Sequence, residues 1–438
     1  MSIIIRKKKA DSEIYREALE LHKKYRGKIQ MISKVPFKSY DDLALVYTPG
    51  VAEPCRKIAE NPDNVWELTN RYNTIAVVSD GTRVLGLGDI GPEAGLPVME
   101  GKALLFKLFG GVDAVPLVID TKDPEKIVEL VKTVQPSFGG FNLEDIESPK
   151  CFYILETLEK ELQIPVWHDD QQGTALVTLA GLINALKLVG KKKEDVKIVV
   201  MGAGAAGYSF VKFLLMYGFP GKNILILDSV GIIYKGRKVR MNPWKEKLAE
   251  WTNPEGIRGG LDTALEGADV LLAASAPGPW IPKQWIKKMA DDAIVFAEAN
   301  PVPEILPEDA LDAGAKIVAT GRSDYPNQIN NVLGFPAVFR GALDVSAKTI
   351  NDKMIVAAAE ALARVAEEKG LRHDYIIPKA TEPEWAPEEA AAVAKAAVES
   401  GVARRKVDPD EVRENTRKLV EAHMKIINFL FPDKEKKG

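Results

Sequence analysis

Cysteine is nearly absent: Cys55 and Cys151 are the only two in 438 residues. They form no CxxC pair and join no Cys/His cluster, so neither a zinc motif nor a thiol redox motif is supported. Two buried, reduced thiols in a cytoplasmic protein is the plain expectation. An excess of one charge is missing too. Against 62 Asp and Glu stand 59 Lys and Arg, a formal net charge of −3. No global basic field then favours nucleic acid, although a local positive pocket remains open to small acidic substrates. Long apolar runs are also lacking. The longest, residues 175–190, contains Asn184 and Lys187 and falls short of a bilayer span. The apolar residues 3–5 are too few for the core of a secretory leader, and Arg6-Lys7-Lys8-Lys9 follows them rather than precedes them. The expectation is a cytoplasmic chain with no membrane segment. The basic runs at 6–9 and 434–437 read as solvated ends. No repeat of solenoid period occurs.

What is present is an alternation of β-rich and helical stretches. Length alone predicts two or three domains. Strands are expected at 74–78, 114–119 and 165–168, with helices at 101–109, 124–134 and 149–162. Pro124 and Pro149 fit a helix's first turn. Residues 138–142, Phe-Gly-Gly-Phe-Asn, read as a loop. This is an α/β layout with mainly parallel pairing. A helix at about 172–189 follows, stopped by Gly190. Its apolar residues (Leu176, Val177, Leu179, Leu182, Ile183, Leu186, Leu188) cover nearly its whole circumference, which predicts burial between domains. After the polar turn at 191–195 come strands at 196–201, 223–227, 268–273, 293–297 and 316–319. From about 349 onward the chain reads as helical, with Asp408-Pro409-Asp410 opening a helix over 412–430. The expected division is an α/β substrate domain at 1–170, a Rossmann-type doubly wound parallel sheet at 171–345, and a helical segment at 346–438 packing on the body.

Gly202-Ala203-Gly204-Ala205-Ala206-Gly207 is a G-x-G-x-x-G that follows a hydrophobic strand and opens a helix. Gly202 allows the tight turn, Gly204 lets backbone approach a pyrophosphate, and Gly207 lets helix and strand pack closely. The helix N-terminus offers free N–H groups to phosphate. Asp228 ends the next strand and suits a ribose 2′-hydroxyl. Ser229 follows it, with Lys235, Arg237, Lys238 and Arg240 just beyond; a hydroxyl plus guanidinium suits a 2′-phosphate. A solvated basic hairpin is the alternative. The balance leans to NADP, with NAD possible.

Two carboxylate pairs, Glu144-Asp145 and Asp169-Asp170, lie near expected strand ends. Neighbours on a strand point to opposite faces, so such pairs converge only where a strand gives way to loop. Three carboxylates with open water positions suit Mg²⁺ or Mn²⁺. Helix capping is the alternative for each pair. Tyr47 stands in Tyr47-Thr48-Pro49-Gly50-Val51, a Pro-Gly sequence that predicts a type II turn holding the tyrosine. Lys102 follows Gly101 at the expected start of a helix. Alone, each could be structural.

Taken in order, these motifs resemble the malic enzyme family. The resemblance runs from about residue 34 to 341. It rests on Tyr47-Thr48-Pro49-Gly50-Val51, Thr82-Arg83-Val84-Leu85-Gly86-Leu87-Gly88-Asp89, Gly101-Lys102 and Asn142-Leu143-Glu144-Asp145. Further along it rests on His168-Asp169-Asp170-Gln171-Gln172-Gly173-Thr174, the glycine fingerprint, Ala299-Asn300-Pro301, and Asn330-Asn331-Val332-Leu333-Gly334-Phe335-Pro336. The resemblance implies oxidative decarboxylation of L-malate to pyruvate. It implies metal ligands at Glu144, Asp145 and Asp170, a general base at Lys102, and an acid at Tyr47 that protonates the enol. It implies a malate-carboxylate ligand at Arg83, contacts to substrate and nicotinamide at Asn300 and Asn331, and an essential acid at Asp169 beside the metal. A homodimer or larger homo-oligomer is implied as well. Lys102 serves as a base only if burial or a nearby positive charge lowers its pKa. Two rivals stand beside this reading. A metal-independent amino-acid dehydrogenase leaves the carboxylates unexplained, and a non-catalytic dinucleotide-binding regulator has no use for Tyr47 and Lys102.

Overall fold

Two parallel sheets organise the chain. The computed structural model describes residues 11–431, so both basic terminal runs and the apolar residues 3–5 lie outside the described part. The first sheet holds β1 (Thr74–Ser79), β2 (Asp113–Val118), β3 (Gly140–Leu143) and β4 (Val166–His168) in the order β2-β1-β3-β4. All its pairs are parallel. The second holds β5 (Ile198–Met201), β6 (Ile224–Asp228), β7 (Gly231–Ile232), β8 (Val270–Ala273), β9 (Ile294–Ala297) and β10 (Ile317–Thr320) in the order β10-β9-β8-β5-β6-β7. Only β7 runs antiparallel. From β5 the chain moves first to β6 on one side and then to β8 on the other. That reversal opens a crevice at the strands' carboxyl ends, where such sheets bind ligands.

One expectation fails here. The glycine-rich stretch at 138–142 is not a loop: it runs into β3, a central strand paired with both β1 and β4. Its glycines serve packing. A Cβ on Gly139 would lie 2.4 Å from the Arg71 carbonyl oxygen, and one on Gly140 would lie 2.8 Å from the Phe339 ring. Glycine in a strand marks a close approach as readily as it marks a turn. The helix bearing Lys102 also begins earlier than expected, at Pro92, and runs to Gly110 with Pro97 inside it. Gly101 therefore sits mid-helix.

The apolar helix is confirmed at Thr174–Val189, stopped by Gly190 in the left-handed conformation at φ 69°. Every residue from Ala175 to Leu186 is buried. By length and composition the segment Asp169–Val189 could cross a membrane, but here it is a core element. It packs on the helices Ala205–Tyr217 and Asp352–Glu368. Its buried Asn184 amide donates to the carbonyls of Ala363 and Ile376 at 2.8 and 2.9 Å. The expected C-terminal helices appear as Asp352–Glu368, Trp385–Glu399 and Pro409–Leu430, the last capped by the Asp408 side chain.

The N-terminal arm is different in kind. Its helices Tyr40–Val46 and Ala52–Glu60 bury no residue. Tyr15, Leu19, Met31, Phe37, Tyr40 and Leu45 are all exposed, and so is Cys55, against the expected burial that Cys151 does show.

Candidate active site

The loops leaving the carboxyl ends of β1, β3 and β4 converge on one acidic centre. Glu144 and Asp145 follow β3 directly. Asp169 and Asp170 follow β4 and open a π-helical turn, Asp169–Gly173, that leads into the buried helix. Such turns occur disproportionately at functional sites. Neither carboxylate pair caps a helix: no side-chain cap bond forms at this turn, at the helix Thr174–Val189, or at the helix Lys150–Glu161. Instead the pairs face each other. Asp170 Oδ2 accepts from the Asp145 backbone N–H at 3.0 Å. Asp145 itself holds a left-handed backbone, φ 53°, a strained state for a non-glycine residue that is tolerated where surroundings enforce it. Carboxylate oxygens of Glu144, Asp145 and Asp170 all lie within 4.8 Å of one another.

Lys102 is the cation that meets this cluster. Its Nζ lies 2.6 Å from Asp169 Oδ2 and 3.1 Å from Glu144 Oε1. It also lies 4.2 Å from the centre of the Phe335 ring, a cation–π contact. Asp169 accepts a second bond from Trp167 Nε1 at 3.0 Å, and Glu144 accepts one from the Asn142 amide at 2.9 Å. Lys102, Glu144, Asp145 and Asp169 are all buried, while the Asp170 side chain keeps one third of its surface open. Burial pushes the pKa of all four carboxyls up, and repulsion by neighbouring carboxylates adds to this at Glu144, Asp145 and Asp169; Asp145 is raised to about 8 by burial and by Asp170. For Lys102 the condition set by a base role is reversed. Burial lowers its pKa, but Asp169 and Glu144 outweigh burial and hold the ammonium above its ordinary value. With four carboxylates and one lysine, the centre has room for more positive charge.

Of the remaining residues, Arg83, Asn331 and Asn300 lie on loops that adjoin one another or the acidic centre. Arg83 donates its backbone N–H to the Asp145 carbonyl at 2.9 Å, and its side chain is exposed. Its charge opposes the rise in the Asp170 pKa. Asn331 adjoins the π-helical turn: a Cβ on Gly173 would come 3.2 Å from Asn331 Cβ and 2.0 Å from Asp169 Oδ1. Asn300 follows β9 and meets the Arg83 loop, since a Cβ on Gly86 would lie 3.2 Å from the Asn300 carbonyl oxygen and 3.0 Å from Pro301 Cδ. Tyr47 is not gathered in. Its side chain is 67% exposed, and no hydrogen bond joins its phenol to another described residue. Nor does it sit beside a type II turn, because Gly50 lacks the positive φ that such a turn requires.

The second sheet supplies a cavity of about 440 Å³ lined by Met201, Gly202, Ala203, Gly204, Asp228, Ser229, Lys245, Ser275, Ala276 and Trp280. The three glycines divide their tasks. Gly202 has φ 112°, Gly204 faces open space, and a Cβ on Gly207 would lie 1.7 Å from the Gly202 oxygen. Ala205 and Ala206 form the first turn of the helix Ala205–Tyr217, whose N-terminal end carries no side-chain cap and so leaves N–H groups free. Residues 26–159 match the malic enzyme N-terminal domain, and residues 171–398 match the malic enzyme NAD-binding domain.

The chain belongs to the malic enzyme family. Its activity is accordingly oxidative decarboxylation of malate with a nicotinamide dinucleotide, and the amino-acid dehydrogenase and regulator readings give way. The chain is 55% identical over 403 residues to a bifunctional malic/malolactic enzyme of Bacillus subtilis, covering 92% of this chain and 98% of that one. It is 54% identical to an NAD-dependent malic enzyme of Geobacillus stearothermophilus over 86% of this chain and 78% of that one. The crystal structure of malic enzyme from Pyrococcus horikoshii superimposes with a TM-score of 0.92 at 54% identity, covering 95% and 98% of the two chains.

Four residues of these sites escape a sequence reading. Phe335, Trp167 and Asn142 lie inside or beside the motifs, yet their side chains read as core. Lys245, at the dinucleotide cavity, sits in an ordinary amphipathic helix and gives no signal.

Proposed function

We propose that this malic enzyme converts L-malate to pyruvate with Mg²⁺ or Mn²⁺ held by Glu144, Asp145 and Asp170, and with NADP as the preferred hydride acceptor, NAD remaining usable. The observation that carries the metal assignment is the convergence of three carboxylates within 4.8 Å, all with raised pKa and one lysine among them. The Asp145 Oδ2 atom is buried and has no hydrogen-bond partner, which fits a cation ligand better than a solvated acid. An all-oxygen donor set suits Mg²⁺ or Mn²⁺. When bound, the divalent cation supplies Lewis-acid polarisation of the C2 oxygen and offsets carboxylate charge.

Lys102 then takes the proton of the C2 hydroxyl. In this arrangement its two carboxylate partners hold it protonated, and cation charge at Glu144 is what would release it. Asp169 fixes the Lys102 ammonium at 2.6 Å and is itself fixed by Trp167. Arg83 pairs with a malate carboxylate. Asn300 and Asn331 bond to substrate and nicotinamide at the cleft. Tyr47 returns a proton to C3 after CO₂ has left. The glycines 202, 204 and 207, with Ala203, Ala205 and Ala206, hold the pyrophosphate, and the pair Ser229–Arg240, 2.7 Å apart, favours a 2′-phosphate.

The exposed position of Tyr47 supports a homodimer or larger assembly. An arm whose helices bury nothing, yet which carries many exposed apolar residues, gains a core by packing on another copy. The division into 1–170, 171–345 and 346–438, and a cytoplasmic location, complete the reading. Its test is one assay: purified protein, L-malate, Mn²⁺ and either NADP⁺ or NAD⁺, with pyruvate quantified. Metal-dependent reduction with matching pyruvate, and a kcat/KM favouring NADP⁺, is the expected outcome. Equal turnover after exhaustive chelation would overturn the metal site, and a ratio favouring NAD⁺ would overturn the cofactor preference.

A further inference from the structure

Two buried acids flank the loop that carries Asn300, and they are held in opposite ways. Glu304 is an acceptor. It takes the Ser275 backbone N–H at 2.6 Å, the Ser275 hydroxyl at 2.9 Å and the Ala299 backbone N–H at 3.1 Å. Ser275 lines the dinucleotide cavity, so Glu304 fastens the Asn300 loop to that side. Glu298 faces the other way. Its backbone N–H donates to the Ala273 carbonyl at 2.9 Å, and the residue is 8% exposed. Among the described residues its carboxyl has one hydrogen-bond partner, Thr178, whose hydroxyl oxygen lies 2.9 Å from Oε1 and 3.0 Å from Oε2.

The packing explains why the two meet. Side chains two apart on a strand share a face, and those three apart on a helix share a side. Phe296 in β9 and Glu298 just beyond it are two apart. Gly181 and Thr178 are three apart on the helix Thr174–Val189. A Cβ on Gly181 would lie 3.4 Å from the Phe296 ring, and one step toward the strand's carboxyl end Glu298 meets Thr178. That end of the strand therefore faces the N-terminal end of the helix, which grows directly out of the turn bearing Asp169 and Asp170. The proton count then fixes the carboxyl's role. A threonine hydroxyl has one proton. Thr178 donates it to the Thr174 carbonyl at 2.8 Å. The contact with Glu298 needs a second proton, and only the carboxyl can supply it. Burial agrees: it raises the Glu298 pKa well above the ordinary value, by more than the Thr178 bond lowers it, and Glu304 adds to the rise.

We propose that Glu298 is a positioning residue that acts as a neutral acid: by donating to Thr178 it fixes the Asn300 loop on the helix that follows the acidic centre, and so sets the nicotinamide against C2 of malate. The inference rests on the place of Asn300 at substrate and nicotinamide proposed above. An apolar side chain here would bury equally well and leave the loop free to slide along the helix. A neutral acid adds one directional bond and brings no further negative charge beside Glu304.

Single-turnover reduction of NADP⁺ or NAD⁺ by L-malate and Mn²⁺, followed by stopped flow, tests the bridge. Its rate constant reports geometry, its amplitude reports the folded fraction, and deuteration of malate at C2 identifies the hydride step. Thr178→Val, which keeps the shape, and Glu298→Leu should each slow that step about 10-fold, short of the ~10²-fold that a misplacement of about 1 Å costs. Calorimetric affinity for adenosine 5′-monophosphate should stay unchanged in both and certifies the fold; should Glu298→Leu lose it, Thr178→Val decides alone. Glu298→Gln, whose amide can still donate to Thr178, should keep its rate constant within ~3-fold of the wild type. The infrared difference between wild type and Glu298→Gln should show an unionised carboxyl at neutral pH. A lowered amplitude with an unchanged rate constant in Thr178→Val and Glu298→Leu would make the bond merely structural and overturn the proposal. Glu298→Gln as slow as Glu298→Leu, or an ionised carboxyl in the infrared, would overturn it too. Asn300→Ala checks the reading beneath. A wild-type rate constant in that variant would remove Asn300 from the nicotinamide, whereas slowing in Asn300→Ala alone would sink only the bridge.

Discussion

The acidic centre after β3 and β4 and the basic pocket after β6 are built from the same side-chain types in opposite proportion. At the first, Glu144, Asp145, Asp169 and Asp170 face one lysine. At the second, Arg237 and Lys245 hold one aspartate between them. In the first, burial raises the pKa values of the carboxyls and the lone cation does not offset it. In the second the lone carboxylate is oversupplied with donors and its pKa falls to about 2. The chemistry of each site follows from its minority residue. Where the minority is Lys102, the excess of carboxylates supports the proposed metal cation. Where the minority is Asp228, the excess of donors supports the proposed binding of an anionic cofactor. A chain with a net charge of only −3 can hold both because each imbalance is local.

The comparison can be broken most severely at Lys102. Lys102→Ala is expected to lower kcat at least ~10²-fold, the usual reach of a general acid–base group, while dinucleotide affinity changes little. Steady-state kinetics alongside NADP⁺ titration read both, and near-normal turnover would remove Lys102 from the proton transfer. Next comes Asp170→Asn, which keeps the shape and removes one ligand charge. Mn²⁺ affinity measured by electron paramagnetic resonance should fall at least ~10-fold, a loss of the size seen even for outer-shell partners; an unchanged affinity would count against Asp170 as a ligand.

A third carboxylate sharpens the contrast with the smallest effect. Glu389, on the helix Trp385–Glu399, is fully buried, and neither of its oxygens has a hydrogen-bond partner. It has neither the neighbours of the acidic centre nor the cations of the basic pocket. Burial alone raises its pKa well above the ordinary value, so the folded protein keeps it neutral. The unfolded chain ionises near pH ~4.3. Since the folded pKa is the higher one, stability is undiminished below that pH and is lost as pH rises toward the folded pKa. Glu389→Met should therefore raise Tm by roughly 2 °C near neutral pH, with the gain shrinking toward pH 4. Calorimetric scans at pH 4.5 and 7.5 decide it, and an equal gain at both would mean that ionisation is not involved.

Much of this was legible in the chain, and the limits have physical causes. Strands such as β5 and β8 announce themselves as short apolar runs bounded by turns, and the buried helix Thr174–Val189 by apolar residues on every side. β3 did not, because Gly139 and Gly140 answer to Arg71 and Phe339, partners about 70 and 200 residues away. The carboxylates were legible as pairs at strand ends. That they share one lysine was not, since Lys102 reaches them from a helix after a different strand. The condition on Lys102 also came out reversed, because burial and ion pairing act in opposite directions and only the distances to Asp169 and Glu144 decide between them. At the pocket after β6 the sequence offered Asp228 and a basic hairpin as competitors. The fold makes them partners, and adds Lys245 from a helix that carries no motif.

The touch between two cleft loops has a last consequence. The loop bearing Arg83 meets the loop bearing Asn300 at Gly86, where a single methyl group would already press on Pro301. In the proposed roles, one loop answers to the substrate's carboxylate and the other to the nicotinamide. A ligand that settles either loop also settles the surface on which the other leans. Thermodynamic reciprocity then fixes the bookkeeping: the factor by which dinucleotide tightens malate equals the factor by which malate tightens dinucleotide. Order of addition therefore leaves the stability of the ternary complex unchanged and alters only the rate at which it forms.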